Sequence, residues 1–371
     1  MLFDIKKQAH RFRGLWRESK YRTGLKQQNI DLPRRGIVLS YGPAIGDLSN
    51  IASSVTGGKV KLLYLQEKYP HGDSRYNVLY LVSSALPPYA VILARWVKSK
   101  GVKVVLNQNG VGYPGWTKDH QSINSELSIV LSLADLVIYQ SQFCKDAADY
   151  FLREASCPWT ILFNCTDLDK FKPETVRAPS SPLRLLVAGS HYQRERVTLA
   201  LRALRLLLNA GLDVELVIAG PIPWDRSGAE IIKLTDTLKL SESVRVIGPY
   251  SHNVAPTIYQ SADILLHLKY KDPCPNVVIE AMASGVPVVG SSSGGLRELI
   301  GSEGGLLLPV VDSWNSMYYP SAVDIASGVE KIFDNLGSYR KRSRQRAEQL
   351  FSSTSWVGAH EKWLNSLFSR D

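Results

Sequence analysis

Four cysteines in 371 residues, with no Cys-x-x-Cys pair and no histidine at zinc spacing, speak against a structural metal or a disulfide framework. Cys144, Cys157, Cys165 and Cys274 are scattered, as in a chain kept reduced. Long apolar runs are lacking too. None approaches the roughly 18 residues that span a bilayer, and the N-terminus has no apolar signal core. A cytoplasmic protein is the expectation. No low-complexity tract and no solenoid-spaced repeat breaks the chain. No helix-turn-helix, zinc-finger or RNA-binding signature accompanies the net charge of +10, so nucleic acid is not an expected partner.

What is present is a globular composition, 44% hydrophobic and 21% charged, on a chain long enough for two ordinary domains. The positive charge is concentrated in residues 1–30. There Lys6, Lys7, Arg11, Arg13, Arg17, Lys20, Arg22 and Lys26 face only Asp4 and Glu18, interleaved with Leu2, Phe3, Ile5, Phe12, Leu15 and Trp16. Basic residues mixed with Trp, Phe and Leu suit an amphipathic arm lying on an anionic membrane surface. A solvated arm is the alternative.

From residue 36 short β-branched runs alternate with helical stretches. The first half reads as strands at Gly36-Ile-Val-Leu-Ser-Tyr41, Val60-Lys-Leu-Leu-Tyr-Leu65, Tyr76-Asn-Val-Leu-Tyr-Leu-Val82, Val102-Lys-Val-Val-Leu106, Leu136-Val-Ile-Tyr139 and Trp159-Thr-Ile-Leu162, with helices near 87–100, 120–133 and 142–153. The second half has strands beginning at Leu183, Val214, Val244, Ile264 and Val286, and helices near 194–210, 227–239, 255–261, 277–284 and 322–350. Such alternation predicts an α/β protein with mainly parallel sheets. The proline- and serine-bearing stretch 170–182 reads as a linker. The division expected is a basic arm at 1–30, a trimmed Rossmann-like domain at 31–173, a second such domain at 174–352, and a terminal crossover helix at 353–371. Two doubly wound domains place a cleft between the carboxyl ends of their strands.

The segment richest in chemistry is Asp272-Pro-Cys-Pro-Asn-Val-Val-Ile-Glu280-Ala-Met-Ala-Ser-Gly285. Pro273 and Pro275 keep the loop extended. Asn276 suits an N-cap and Gly285 a C′ position for a helix of about two turns. The unpaired amides of its first turn form an anion site fit for a pyrophosphate. Glu280 leans back toward that end and can accept from two neighbouring hydroxyls, as a ribose offers. Asp272 can hold sugar hydroxyls. Without further context the pair reads equally as a first-turn Glu and a loop Asp suited to the helix dipole.

In this spacing the segment, with Gly294-Gly295-Leu-Arg-Glu298, resembles the acidic pair of family 4 retaining glycosyltransferases (glycosyl transferases group 1). Ala188-Gly189, Val217-Ile-Ala-Gly220, Val246-Ile-Gly248, Tyr259-Gln-Ser-Ala-Asp263, Ser141-Gln-Phe143, Phe163-Asn-Cys-Thr-Asp-Leu-Asp-Lys-Phe-Lys-Pro173 and Phe351-Ser-Ser-Thr-Ser-Trp356 resemble further family motifs in the same order. The resemblance covers residues 130–371 well and 36–130 loosely. It implies the GT-B fold, two Rossmann-like parallel-sheet domains facing a central cleft. It also implies transfer from a nucleoside diphosphate sugar without a cofactor or metal, and no Asp-x-Asp pair stands in a suitable loop. The acceptor implied is a glycan or a lipid-linked molecule, in surface polysaccharide assembly.

Residue by residue, the resemblance implies that Glu280 binds the ribose and that Pro275, Asn276 and Val277 hold the diphosphate. Gly189, Ser190, Gly220 and Pro221 lie at its side, and Ile247, Gly248 and Tyr250 line the base pocket. Asp272 stands where the family usually has Glu. The family's phosphate-neutralising Arg and Lys are replaced by Ser190 and Glu195, which leaves Arg194 or Arg196 as substitutes. The family's first-domain His is also missing. In its place Asn107, Asn109, Tyr113 and Trp116 are candidates for sugar contact, with Gly42 and Gly46 as candidates for the acceptor. These departures keep open an alternative, a catalytically impaired GT-B scaffold or regulatory subunit. A non-hydrolysing sugar-nucleotide epimerase, which shares the GT-B shape, would need added acidic and histidine groups near the sugar, and this sequence does not place them there.

Overall fold

The computed structural model describes residues 16–48, 57–174 and 182–369. The first half of the basic arm and the centre of the linker therefore lie outside the described residues. Within the arm, residues 16–27 are helical (α1), with Leu25 buried and the Tyr21 ring 5.1 Å from Tyr89.

The first sheet has five parallel strands in sequential order, β1 Leu39–Ser40, β2 Val78–Val82, β3 Lys103–Gln108, β4 Leu136–Tyr139 and β5 Trp159–Ile161. Every residue of β2 is buried, as a strand covered on both faces requires. Helices α3 Ala90–Ser99, α4 His120–Leu133 and α5 Gln142–Phe151 connect β2 to β5.

One expected strand is a helix. Val60–Lys68 forms α2, and the strand predicted over 36–41 shrinks to two residues. The reason is double burial. Helix α2 lies between the sheet and the terminal helix α13 (Ser353–Ser366), so Val60, Lys61, Leu62, Tyr64 and Leu65 are all buried and the helical period is masked. After α2 the chain reaches the outer edge of β1, where His71 makes a single parallel bridge to Leu39, and only then crosses to β2. That reversal sets α2 with Leu39, Val78 and Tyr80, while α3 to α5 pack on Leu79, Leu81 and Val104.

The second sheet, also parallel, runs β11-β10-β9-β6-β7-β8. Its strands are β6 Leu183–Ala188, β7 Val214–Ala219, β8 Val244–Gly248, β9 Ile264–His267, β10 Val288–Ser291 and β11 Gly305–Leu308. Between them come α6 Glu195–Asn209, α7 Ser227–Thr237, α8 Ala255–Gln260, α9 Asn276–Ala283 and α10 Leu296–Ile300. The helix predicted over 322–350 breaks into α11 Ala322–Phe333 and α12 Leu336–Leu350, and α11 starts on a Ser321–Asp324 capping box. Two Rossmann-like sheets facing one cleft is the arrangement the resemblance implies. In the second sheet the strand order reverses between β6 and β9, which pair through Leu185–Ile264 and Leu186–Leu265. A crevice opens beyond the carboxyl ends of these two strands.

Candidate functional site

The cleft between the domains has a volume of about 980 Å³, and its second-domain wall is built around the β6–β9 crevice. The loop after β9 leads into α9. Gly294 and Gly295 let a second segment pass against this loop: a Cβ at Gly295 would stand 2.0 Å from Pro273 O, and the Gly295 amide donates to Asp272 O at 3.0 Å.

Pro275, not Asn276, occupies the N-cap of α9, in an extended conformation and with no side-chain cap. Asn276 is instead the first helical residue, and its Nδ2 donates across the cleft to Gly57 O at 3.0 Å. The carbonyl of Pro275 already accepts from Ile279 N at 3.3 Å, the first bond of the helix, so the cap falls one position before the expected asparagine. Val278 N donates to Pro275 O at 3.1 Å, and the amides of Asn276 and Val277 are left without a partner in the helix. Gly285 ends the helix at φ +72°, as a C′ glycine does.

Glu280, one turn into α9, is 7% exposed. Its Oε2 accepts from Tyr259 OH at 2.8 Å, and His252 Nε2 lies 3.7 Å from Oε1. Lys170 donates to His252 Nδ1 at 3.3 Å, which leaves the proton of a neutral imidazole on Nε2, facing Glu280. Burial pushes the Glu280 carboxyl up to about 7, against the opposing pull of Tyr259 and Lys170. Burial and Lys170 bring His252 down to about 4.

Asp272 is equally buried, at 8% exposure, yet shifts the other way. Burial would raise it, but Lys269, His267 and Arg196 together hold it well below the usual carboxylate range. His267 Nε2 stands 3.1 Å and Lys269 Nζ 3.2 Å from Oδ2. Burial lowers His267 to about 4, so the neutral ring donates through Nε2 while Nδ1 stays buried without a partner.

Across the crevice, Arg196 is 2% exposed and lines the cleft. Its Nη1 and Nη2 donate to Ser190 O at 2.7 Å and Ala188 O at 2.8 Å, and its buried Nε has no partner. Arg194 is corrected: it points outward to Glu230 on α7 and does not line the cleft. Two positions along a helix differ by about 200° in direction, so the two arginines face opposite ways.

Gly189, Ser190, Pro221, Tyr250, Pro275, Asn276 and Val277 all line the cleft. Gly220 lies behind that wall, where a Cβ would meet Gly189 O at 2.2 Å. Ile247, half exposed, and Gly248 lie outside it, so the cleft reaches this segment only at Pro249 and Tyr250.

The first-domain residues divide in the same way. Asn109 lines the cleft, its Oδ1 accepting from Ser83 Oγ at 2.6 Å. Tyr113 also lines it but is mostly buried, its ring 5.2 Å from Trp314. Asn107 is corrected to a core position. It is 1% exposed, accepts from Lys61 Nζ and Gln140 Nε2 at 2.8 Å each, and donates to Tyr80 OH at 3.0 Å. Gly42 and Gly46 form a turn held by Gln66 of α2, away from the cleft. Four residues beside the carboxylates had no assigned role in the sequence: His252, Tyr259, His267 and Lys269. Only Tyr259 carried a signal, as the first residue of a motif.

Residues 169–348 match the family described as glycosyl transferases group 1. The matched stretch coincides with the second domain, which is similar to that family. The group 1 segment contains Asp272, Glu280, Arg196 and both strands of the crevice. Among curated relatives, the putative colanic acid biosynthesis glycosyltransferase WcaL of Escherichia coli K12 is 26% identical over 193 residues, covering 50% of this chain and 46% of the relative. The D-inositol 3-phosphate glycosyltransferase of Mycobacterium tuberculosis H37Ra is 31% identical over 135 residues, 35% of this chain and 28% of that one. The chain thus spans less than half the length of these relatives. Similarity to solved structures is broader. HepE of Anabaena in complex with UDP-glucose superposes with a TM-score of 0.67 at 17% identity, covering 91% of this chain and 99% of that one. A sucrose-phosphate synthase of Thermosynechococcus elongatus gives 0.62 at 20%, covering 92% and 88%. At such identity the likeness establishes the GT-B fold around the group 1 domain.

Proposed function

We propose that this chain is a retaining glycosyltransferase. It moves a sugar from a nucleoside diphosphate sugar to a glycan or lipid-linked acceptor, without a metal, in surface polysaccharide assembly at the inner face of the cytoplasmic membrane. One observation carries the reading. Buried Glu280 stands behind the open first turn of α9, and Arg196 faces the same cleft from the other side of the β6–β9 crevice. The solved neighbour holding UDP-glucose supports such a donor, and the relative named for colanic acid biosynthesis supports the polysaccharide setting.

In this reading the ribose hydroxyls donate to Glu280. The diphosphate rests on the amides of Asn276 and Val277, with buried Arg196 as the cation on the other side of the crevice. Asp272, held ionised, accepts from sugar hydroxyls. The bond from the sugar C1 to phosphate oxygen breaks while the acceptor oxygen bonds C1 on the same face. The acceptor's proton passes to the departing phosphate oxygen. Fixed amides and the guanidinium stabilise the charge that grows on the diphosphate, as an oxyanion hole does. Asp272 and Glu280 are binding groups here, not a nucleophile and acid pair.

Thermal denaturation with millimolar UDP, GDP or ADP tests the donor site, since a ligand at about 100 times its Kd stabilises by about 2.7 kcal/mol. Turnover of a nucleotide-sugar panel, with the product anomer assigned by NMR, tests retention. If no nucleoside diphosphate raises the melting temperature and no donor is consumed, the scaffold alternative takes its place. No helix of the described residues is long and apolar enough to cross a membrane. The membrane role falls to the basic arm, and deleting residues 1–28 should release the protein from anionic liposomes. Unchanged binding would refute the arm as anchor.

A further inference from the structure

The two walls of the cleft differ in charge. The second-domain wall carries Arg196, Lys269, Lys271, Asp272 and Glu280, whereas among the described residues the first-domain wall has no Lys, Arg, His, Asp or Glu. Lys118, two residues after Trp116, is exposed but does not line the cleft, and two further lysines of this domain are engaged elsewhere. Lys59 Nζ donates to Ala44 O at 3.1 Å, and Lys61 is fully buried, donating to Asn107 and Asn164 at 2.8 and 2.9 Å. Residues 42–58 contain no Lys, Arg or His at all. Opposite, Lys269 is matched by Asp272 and Lys271 by Asp312.

What the neutral wall offers is an aromatic surface and uncharged polar groups. Trp116 is 53% exposed within the cleft, and its turn is tightly held. Trp116 N donates to Tyr113 O at 3.0 Å, Gly115 N donates to Trp314 O at 2.8 Å, and a Cβ on Gly115 would stand 2.8 Å from Ser316 N. The turn that carries this flat ring is thus set in advance, and the ring offers a stacking face. Ile123 of α4 is partly exposed beside it in the cleft, and Ser84, Asn109 and Gln140 add hydroxyl and amide groups.

We propose that this wall is an acceptor subsite for an uncharged saccharide, stacked on Trp116 and hydrogen-bonded by neutral groups, and that it rejects phosphorylated or carboxylated acceptors. The inference rests on the donor reading above. An anionic acceptor would bring a charge to a wall with no cation to meet it, and an unpaired charge taken out of water is strongly penalised.

Saturation-transfer NMR tests the assignment, with and without saturating UDP. The probes are methyl glycosides of glucose, galactose, mannose and N-acetylglucosamine, and the neutral disaccharides maltose and lactose. Glucuronate, galacturonate and 6-phosphate counterparts are the anionic arm. The expected result is a neutral saccharide bound about tenfold or more tighter than its anionic counterpart. Trp116→Ala should abolish that signal while UDP still raises the melting temperature, and Trp116→Tyr should retain it. Ile123→Lys should draw in the anionic counterpart. Tighter binding of an anionic saccharide, no saccharide binding, or indifference to Trp116→Ala would overturn the subsite. A failure of UDP itself to bind would instead sink the donor reading, and the nucleotide-free arm would still read the subsite.

Discussion

Asp272 and Glu280 stand on one loop and the helix that follows it, equally withdrawn from water, and the protein drives them in opposite directions. Around Asp272 the loop itself supplies Lys269 and His267, and Arg196 adds a third favourable group. Around Glu280 only the Tyr259 hydroxyl and the Lys170 charge oppose burial. The difference teaches what each carboxyl awaits. Asp272 is ionised by its own surroundings before any ligand arrives. Glu280 has unused accepting capacity, which hydroxyls from a ligand would fill.

Removing the less satisfied partner should have the largest effect. Glu280→Ala forfeits two hydrogen bonds to a charged group, each about 1.5–3 kcal/mol, so nucleotide affinity should fall at least about 100-fold by calorimetry. A loss under about fivefold would place the ribose elsewhere. Next comes pH. Because the folded Glu280 carboxyl titrates near 7 rather than at 4.5, the folded state holds an extra proton between these values. Stability from this group therefore falls as pH rises from 4.5 to 7 and stays lower above. Hydroxyl donors favour the ionised form, so affinity for UDP-glucose should drop by up to about tenfold per pH unit below about 7. Glu280→Gln should flatten that slope and raise the melting temperature of the unliganded protein at pH 8. A slope that survives the substitution would belong to another group.

Asp272→Asn tests the opposite sign. A depressed carboxyl contributes stability above its ordinary value of 3.8 and loses it as pH falls through the folded value. The variant should thus be destabilised at pH 7 by about 1–3 kcal/mol in urea unfolding, with the deficit fading below about pH 4. The smallest effect is expected at Arg194→Ala. An exposed pair such as Arg194–Glu230 is worth under about 1 kcal/mol, and turnover should stay within about twofold. A large loss there would reassign the phosphate cation from Arg196.

The second domain was the more legible in sequence, and the reason is physical. Strands β6, β7 and β9 are mostly apolar runs, interrupted only by Arg184 and Glu215 and closed by His267, and the Asp272–Glu280 segment carries its own proline stop and glycine end. The first domain was harder to read, because α2 is enclosed by the sheet and α13 and shows no polar face to fix its period. Single side chains escaped for a different reason. Arg194 and Arg196, or Asn107 and Asn109, differ by two positions, and only packing decides which enters the cleft. His267 and His252 act through partners five and 28 residues further along the chain, contacts that no local pattern encodes.

Glu298 lies in α10 of the second domain, yet its two carboxylate oxygens accept the amides of Gln142 and Phe143 at 2.7 and 2.8 Å, in the first turn of α5 in the other domain. One domain thus finishes the helix of its neighbour. Any parting of the two halves strips that helix of its borrowed end and exposes both amides to solvent. Deuterium uptake at these two positions would then count openings of the molecule, with no substrate needed to report them.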